Sequence, residues 1–139
     1  MSAEQNKMVI QRWFDEFINK NNMALAEELI DPNYVNHFLP PTAGKGPEAE
    51  KQIMVMFFSA FPDLQGTIDD LFAEGDKVSV RIIWRGSNSG SFMGMPPTGK
   101  QVAFASNNIF RVANGKITEN WPQVDIMGLM QQLGAVPTV

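Results

Sequence analysis

The sequence contains no cysteine, and His37 is the only histidine among its 139 residues. The lack of cysteine excludes disulfide bonds, thiolate catalysis and cysteine-ligated metal sites. One histidine cannot supply a metal site with several imidazole ligands from one chain, and no carboxylates have the spacing of a calcium loop. We therefore expect that the protein binds no metal.

Basic side chains are also scarce, because 11 Lys and Arg residues stand against 15 Asp and Glu residues for a net charge of −4. They are scattered along the chain, whereas a nucleic-acid-binding protein normally carries a basic stripe. We therefore expect neither nucleic acid nor a membrane as a partner. No apolar run reaches the ~18 residues of a membrane span, and the polar first seven residues lack the apolar core of a signal peptide. These features predict a cytoplasmic protein.

Apolar residues make up 44% of the chain, which is enough for the core of a single domain covering residues 1–139. Apolar periodicity and breaking residues predict helices over residues 3–20, 23–30 (with Asn22 as N-cap), 47–60 and 125–133. A short extended piece is predicted at residues 34–38, and strands at residues 65–73, 77–85, 101–112 and 116–124. Helices followed by a run of strands indicate an α+β fold with helices on one side of an antiparallel sheet.

The predicted strand 101–112 carries a mixed face. Val102, Phe104, Ser106, Asn108 and Phe110 alternate, so they lie on the same side of the strand. Two polar groups among three large apolar ones indicate either the lining of a pocket or a hydrogen-bonded pair inside a core. A curled sheet with helices on its concave side would enclose such a pocket.

Several segments of the chain resemble the SnoaL-like polyketide cyclases, and the resemblance extends over residues 6–134. The resemblance implies a cone-shaped, curved antiparallel sheet with N-terminal helices enclosing a pocket, and a homodimer or higher homo-oligomer formed through the sheet. It also implies an intramolecular aldol condensation that closes a ring of a polyketide ester without a cofactor. The segments that carry it are GMPPTGK (94–100), FRVANGKITENW (110–121), GLMQQLG (128–134), PNYVNH (32–37) and AFPDL (60–64).

The resemblance places few of the family's site residues on matching side chains. The aspartate that acts as acid and base in the family falls on Pro122, which cannot transfer a proton. The family's pocket asparagine falls on Asn36 and is kept, whereas its glutamine and histidine fall on Ser106 and Asn108. The named cyclase reaction is therefore not implied in its usual form.

Other groups are candidates for catalysis. Asp125 lies three residues beyond Pro122, but it also precedes a predicted helix, where N-capping is the alternative role. His37 adjoins Asn36, and alternation puts the two on opposite faces of the strand. The family resemblance implies that Asn36 is the one that faces the pocket. Asn108 would donate a hydrogen bond to an enolate or alkoxide. The catalytic candidates are thus Asn36, Asp125, His37 and Asn108.

We expect the substrate-binding wall to consist of Trp13, Phe14, Met95, Phe104, Ser106, Phe110 and Trp121. The first hypothesis is a cofactor-independent enzyme of lyase or isomerase type, such as an aldol-type cyclase, an isomerase or a hydratase, acting on an apolar cyclic or polyketide-like compound. The second is a non-catalytic protein that binds a small apolar molecule in the same pocket. An epoxide hydrolase ranks third, because Arg81 and Arg111 fall on the face opposite the apolar alternation.

Overall fold

The computed structural model describes residues 2–136. Its helices are α1 (Ala3–Arg12), α2 (Ala26–Leu29), α3 (Pro47–Ala60) and α4 (Ile126–Leu133). Its strands are β1 (Ile30–Asn36), β2 (Gln65–Glu74), β3 (Lys77–Ser87), β4 (Gln101–Ala113) and β5 (Lys116–Val124). A π-helix, Trp13–Ile18, continues α1, and short 3-10 turns occupy Met23–Leu25 and Pro41–Ala43. No helix within residues 2–136 is long and apolar enough to cross a membrane.

The first helical segment begins at a capping box. The Ser2 hydroxyl accepts a hydrogen bond from the backbone N–H of Gln5, and the Gln5 side chain accepts one from the backbone N–H of Ser2. The predicted helix 3–20 continues to Ile18, but its last six residues are a π-helix. Asn21, with φ of 48°, then turns the chain. This segment buries Trp13 against the sheet, which positions the indole for the site described below.

The second predicted helix is wrong in its extent. Residues 23–25 form a 3-10 turn, α2 has only four residues, and Ile30 already belongs to β1. Asn22 precedes the turn, but its side chain makes no capping hydrogen bond. The strand begins earlier than predicted and includes Pro32, which an edge strand tolerates because one side of its backbone needs no partner.

The sheet has the strand order β1-β5-β4-β3-β2. The four long strands pair antiparallel, as predicted, but β1 pairs with β5 in parallel. Only consecutive strands joined by a tight turn must be antiparallel, and β1 leads into α3 instead of into β5. The sheet is therefore mostly antiparallel, and its parallel edge strand β1 was not predicted. Register irregularities interrupt β1, β2 and the β4–β5 pair, and such bulges bend strands.

The inner face of the sheet carries the core. Along β4 the predicted face is buried at every second residue from Val102 to Phe110, and β3 buries Val78, Val80 and Ile82. One apolar cluster joins α1 and the π-helix to the sheet, and a second joins the end of α3 to β4 and α4. The candidate site lies where these two clusters meet.

Candidate functional site

A cavity of about 70 Å³ lies between α3, the π-helix and the inner face of the sheet. Most of its wall is apolar, and the partly exposed members of the wall indicate where it reaches solvent. The buried apolar residues that line it are Trp13, Ile18, Met54, Phe57, Leu64 and Phe104, and the partly exposed ones are Phe38, Ile53, Phe58, Trp84, Pro122 and Val124.

The cavity is small for the compounds that the sequence predicts. An apolar protein cavity that binds benzene has a volume of about 150 Å³. A cavity of about 70 Å³ has room for a few water molecules, but a two-ring compound enters only if part of the wall moves. The half-buried side chains Phe38, Ile53 and Phe58 lie on the partly exposed side of this wall.

Polar side chains gather in one part of this otherwise apolar wall. Each of them is at most 6% exposed. Burial of a polar group is costly unless it is hydrogen-bonded, so the partners of each group define what the site can do. The members of this polar cluster are Asn36, Glu50, Ser106, Asn108 and Asn120.

Glu50 is the carboxyl of the polar cluster. The Tyr34 hydroxyl donates a hydrogen bond to Glu50 Oε2, and Asn36 Nδ2 donates one of 3.4 Å to the same oxygen. Burial raises the pKa of Glu50 above its ordinary value, because the charged form loses its hydration; the two hydrogen bonds oppose this shift. Burial and the neighbouring Glu50 charge also raise the pKa of Tyr34. Tyr34 therefore stays a neutral donor.

The remaining members of the polar cluster form a chain of hydrogen bonds. Trp84 Nε1 donates to Ser106 Oγ at 2.9 Å, and Ser106 Oγ donates to Asn108 Oδ1 at 2.9 Å. Asn108 Nδ2 donates to Asn120 Oδ1 at 3.3 Å. An amide nitrogen carries two hydrogens, so the Asn108 amide has a second donor besides the one that reaches Asn120.

Trp13 adds a further donor to the cavity wall. Its Nε1 is buried and, among residues 2–136, has no hydrogen-bond partner. Its ring meets Phe110 edge to face, with ring centroids 4.8 Å apart.

Five of the predicted site residues line the cavity: Asn36, Asn108, Trp13, Phe104 and Ser106. The other four wall residues lie elsewhere. Phe14 packs against Trp84 with ring centroids 6.1 Å apart, and Phe110 lies against Trp13, so both belong to the core beside the cavity. Met95 packs against the second apolar cluster.

Trp121 and His37 lie together at the sheet, away from the cavity lining. Their rings stack in parallel, with centroids 5.3 Å apart and planes inclined by 4°. His37 Nε2 also contacts Glu119 Oε2 at 2.6 Å. Asn36 is buried in the cavity wall and His37 is exposed, so the two neighbours point to opposite faces, as alternation predicts.

Asp125 takes the capping role that the sequence left open. It is the N-cap of α4, and its Oδ1 accepts a hydrogen bond of 2.9 Å from the backbone N–H of Gly128. The side chain is exposed and does not line the cavity, whereas Pro122 does. Position 122, where the resemblance places the family's catalytic aspartate, therefore lies in the cavity wall but holds a proline.

Sequence reasoning missed Glu50, Tyr34 and Asn120. The helical spacing of Glu50, Met54 and Phe57 at i, i+4 and i+7 puts the carboxyl on the buried face of α3, and this signal was present in the sequence.

Arg81 and Arg111 pair with acidic groups away from the cavity, Arg81 with Asp69 and Arg111 with Glu119 among others. Within residues 2–136, no group of three or more His, Cys, Asp or Glu side chains could hold a metal ion.

The fold and the cavity define a class: small α+β proteins whose helices and sheet enclose one pocket that is mainly apolar. The chain belongs to the SnoaL-like polyketide cyclase family, whose model matches residues 8–133. It is similar to nogalonic acid methyl ester cyclase of Streptomyces nogalater, with 28% identity over 113 residues, 78% of this chain and 82% of that protein.

Solved structures agree with this assignment. TsrD from Streptomyces laurentii superposes with a TM-score of 0.87 at 25% identity, covering 98% of this chain and 99% of that one. IdmH from Streptomyces antibioticus superposes with a TM-score of 0.80 at 31% identity, covering 94% of this chain and 99% of that one. The predicted family and α+β fold are thereby confirmed.

Proposed function

We propose that this protein is an enzyme that moves protons on an apolar cyclic or polyketide-like carbonyl compound, as an aldol-type cyclase, an isomerase or a hydratase. The observation that carries the proposal is the buried polar cluster in the wall of an otherwise apolar cavity. Membership of the cyclase family and the likeness to a methyl ester cyclase support the same class of chemistry.

The amides have a role in this chemistry. Removing a proton beside a carbonyl leaves negative charge on the carbonyl oxygen, and donors already oriented in a water-poor site stabilise that charge. The Oδ1 atom of Asn108 is fixed by Ser106, so its Nδ2 hydrogens have a defined direction. Asn36 is fixed in the same way, because its Oδ1 accepts from the backbone N–H of Phe38 at 2.9 Å. We assign both to binding and polarising the carbonyl.

The proposed reactions need no cofactor. Enolisation, aldol addition and isomerisation rearrange electron pairs and protons within the substrate, and hydration adds only water, so no oxidant or reductant is consumed. What they require is one group that accepts and returns a proton and one or more donors at the oxygen.

Deuterium exchange beside the carbonyl group of two test compounds, a simple ketone and a polyketide ester, tests the proposal. The protein is incubated in D₂O with 2-tetralone, a bicyclic ketone, and in parallel with nogalonic acid methyl ester; deuterium uptake beside the carbonyl is followed by mass spectrometry. We expect uptake well above the protein-free rate. Asn108→Ala should reduce it by about 10²-fold, the usual order for loss of an oxyanion donor.

The matched control is Asn107→Ala, because Asn107 is the next residue of β4 and bonds to Arg81 on the exposed side of the sheet. This variant should exchange at the wild-type rate. Equal rates for the two variants, or no uptake with either ketone, would count against the enzyme.

A non-catalytic small-ligand-binding protein is the second candidate, and Pro122 at the family's acid position favours it. The same experiment separates the two when ligand-induced thermal stabilisation is measured beside deuterium uptake. Stabilisation by 2-tetralone without deuterium uptake favours a binding protein, whereas stabilisation together with uptake favours the enzyme.

We further propose a homodimer or higher homo-oligomer formed through the sheet. A row of side chains crosses four strands in register on the face opposite the cavity, from Phe72 through Ser79 and Ile109 to Trp121. Phe72 is 59% and Ile109 45% exposed, so the row presents two large apolar side chains to solvent. A second copy of the chain would cover this outer row.

A further inference from the structure

We infer that Glu50 is the catalytic residue that accepts and returns the proton in this cavity, in place of the aspartate whose position Pro122 occupies. This inference rests on the proposed function, since it names the proton carrier of that reaction. The acid–base group then lies on helix α3, which faces the sheet, and not on the last strand, β5.

The geometry places Glu50 alone in this role. Among the lining residues of the part of the chain that the structure describes, Glu50 is the one ionisable side chain. His37 and Asp125 are exposed and lie outside the lining. A general base must lie within reach of the proton that it removes, so a substrate held in this cavity meets Glu50 and not the other two.

The hydrogen-bond partners of Glu50 occupy one of its two carboxyl oxygens and leave the other to accept a proton. Tyr34 Oη and Asn36 Nδ2 both donate to Oε2 and hold that oxygen in place. The other oxygen, Oε1, is then the atom that takes the proton. Tyr34 is fully buried and does not line the cavity, so it acts as a positioning residue for Glu50.

The surroundings of Glu50 favour its role as a proton acceptor. Burial raises the pKa of its carboxyl, which strengthens the carboxylate as a base. Tyr34 of β1 is the titratable group that faces it. Lys51, the next residue of α3, points to the surface, where it pairs with Glu27 and Glu48. On β1, His37 pairs instead with Glu119.

The step balances within the substrate and Glu50. A C–H bond beside the carbonyl breaks, its proton forms an O–H bond at Oε1, and the electron pair moves to the carbonyl oxygen as an enolate. In an aldol closure the enolate carbon bonds to a second carbonyl carbon, and Glu50 returns its proton to the resulting alkoxide. In D₂O the carboxyl proton exchanges with solvent, so deuterium is returned to carbon in an isomerisation or an abortive turnover.

The experiment compares Glu50→Gln with Glu48→Gln in the deuterium-exchange assay. Gln keeps the shape of the side chain and a carbonyl oxygen for the Tyr34 hydroxyl, but it cannot accept the proton. We expect a loss of about 10²–10⁴-fold. Glu48 lies on the same helix with its side chain 74% exposed, and its variant should match the wild type. Exchange that survives in Glu50→Gln would overturn the inference.

A pH profile keeps the inference testable if Glu50→Gln folds poorly. Tyr34→Phe removes a hydrogen bond that lowers the pKa of Glu50, so that pKa should rise. The rising limb of exchange rate against pH should then move to higher pH, with the rate recovering on the alkaline side. A uniform fall at every pH would indicate that Tyr34 and Glu50 only join β1 to α3, and would overturn the inference.

The two proposals fail in different ways. No exchange by the wild-type protein defeats the proposed enzyme. Exchange by the wild type that Glu50→Gln leaves intact, but Asp125→Asn or His37→Gln abolishes, defeats only the assignment of the proton to Glu50.

Discussion

Trp84 donates its indole hydrogen to the hydroxyl of Ser106 across neighbouring strands, at 2.9 Å. Because the same hydroxyl donates to Asn108, Ser106 fixes an indole on one side and an amide on the other. Ser106→Ala should lower the free energy of unfolding by about 1–3 kcal/mol, since it leaves a largely buried N–H and an amide oxygen unpaired. Urea unfolding measures the change.

The control for this prediction is Ser91→Ala, because Ser91 is exposed in the loop between β3 and β4. That variant should unfold within about 0.5 kcal/mol of the wild type. A Ser106→Ala protein as stable as the control would indicate that water replaces the hydroxyl, and that the Asn108 amide is not held by this chain of bonds.

Asp125 provides a second prediction, which separates capping from catalysis. Asp125→Ala should cost about 1 kcal/mol in urea unfolding, because the N–H of Gly128 loses its acceptor at the start of α4. Asp125→Asn should retain most of the stability, since asparagine caps helices about as well as aspartate. Loss of deuterium exchange in a stable Asp125→Asn protein would assign the proton transfer to Asp125.

Structural features set by neighbouring residues were predicted better from the sequence than features set by residues far apart in the chain. Local signals were accurate: α3 and β5 have the predicted ends, and Gly134 terminates α4 in a left-handed conformation. The alternation of β4 correctly identified Ser106 and Asn108 as inward-facing. The β1–β5 pairing was missed, because residues about 85 positions apart in sequence carry no mutual signal in a single chain.

The site was only partly predictable for the same reason. Asn36 was found from the family resemblance, and Asn108 was found because strand alternation and the resemblance both put it at the pocket. Glu50 was overlooked because charged residues on a helix usually face solvent, and only the packing of α3 on β1 shows that it meets Tyr34. Trp121 was placed in the wall because it is aromatic, yet its strand directs it to the other face of the sheet.

The outer row of the sheet gives a third prediction, on assembly. Ile109→Lys puts a charge at the centre of the row, opposite Ser79 and Trp121, and should shift the proposed homo-oligomer to monomer. Light scattering coupled to size exclusion measures the mass. Met127→Lys, which changes an exposed apolar residue of α4, should keep the wild-type mass. A wild-type protein that is monomeric at every concentration would contradict the prediction.

Glu50 gives the last prediction, on the pH dependence of stability. Its pKa is raised in the folded protein, so the folded state holds the proton more tightly than the unfolded state does. Below about pH 4.3, the ordinary glutamate pKa, both states are protonated and the stability contribution is complete. As pH rises through the raised pKa, the folded protein must bury a charge, and this contribution is lost.

Glu50→Gln removes the titration and keeps the shape. Relative to the wild type, the variant should therefore gain stability as pH rises from about 4.3 through the raised pKa of Glu50 and then level off, as measured by urea unfolding against pH. Glu48→Gln, at an exposed position, should show no such trend. A constant difference between Glu50→Gln and wild type at every pH would mean that Glu50 titrates alike in the folded and unfolded chain, and that its carboxyl is not held in a water-poor site.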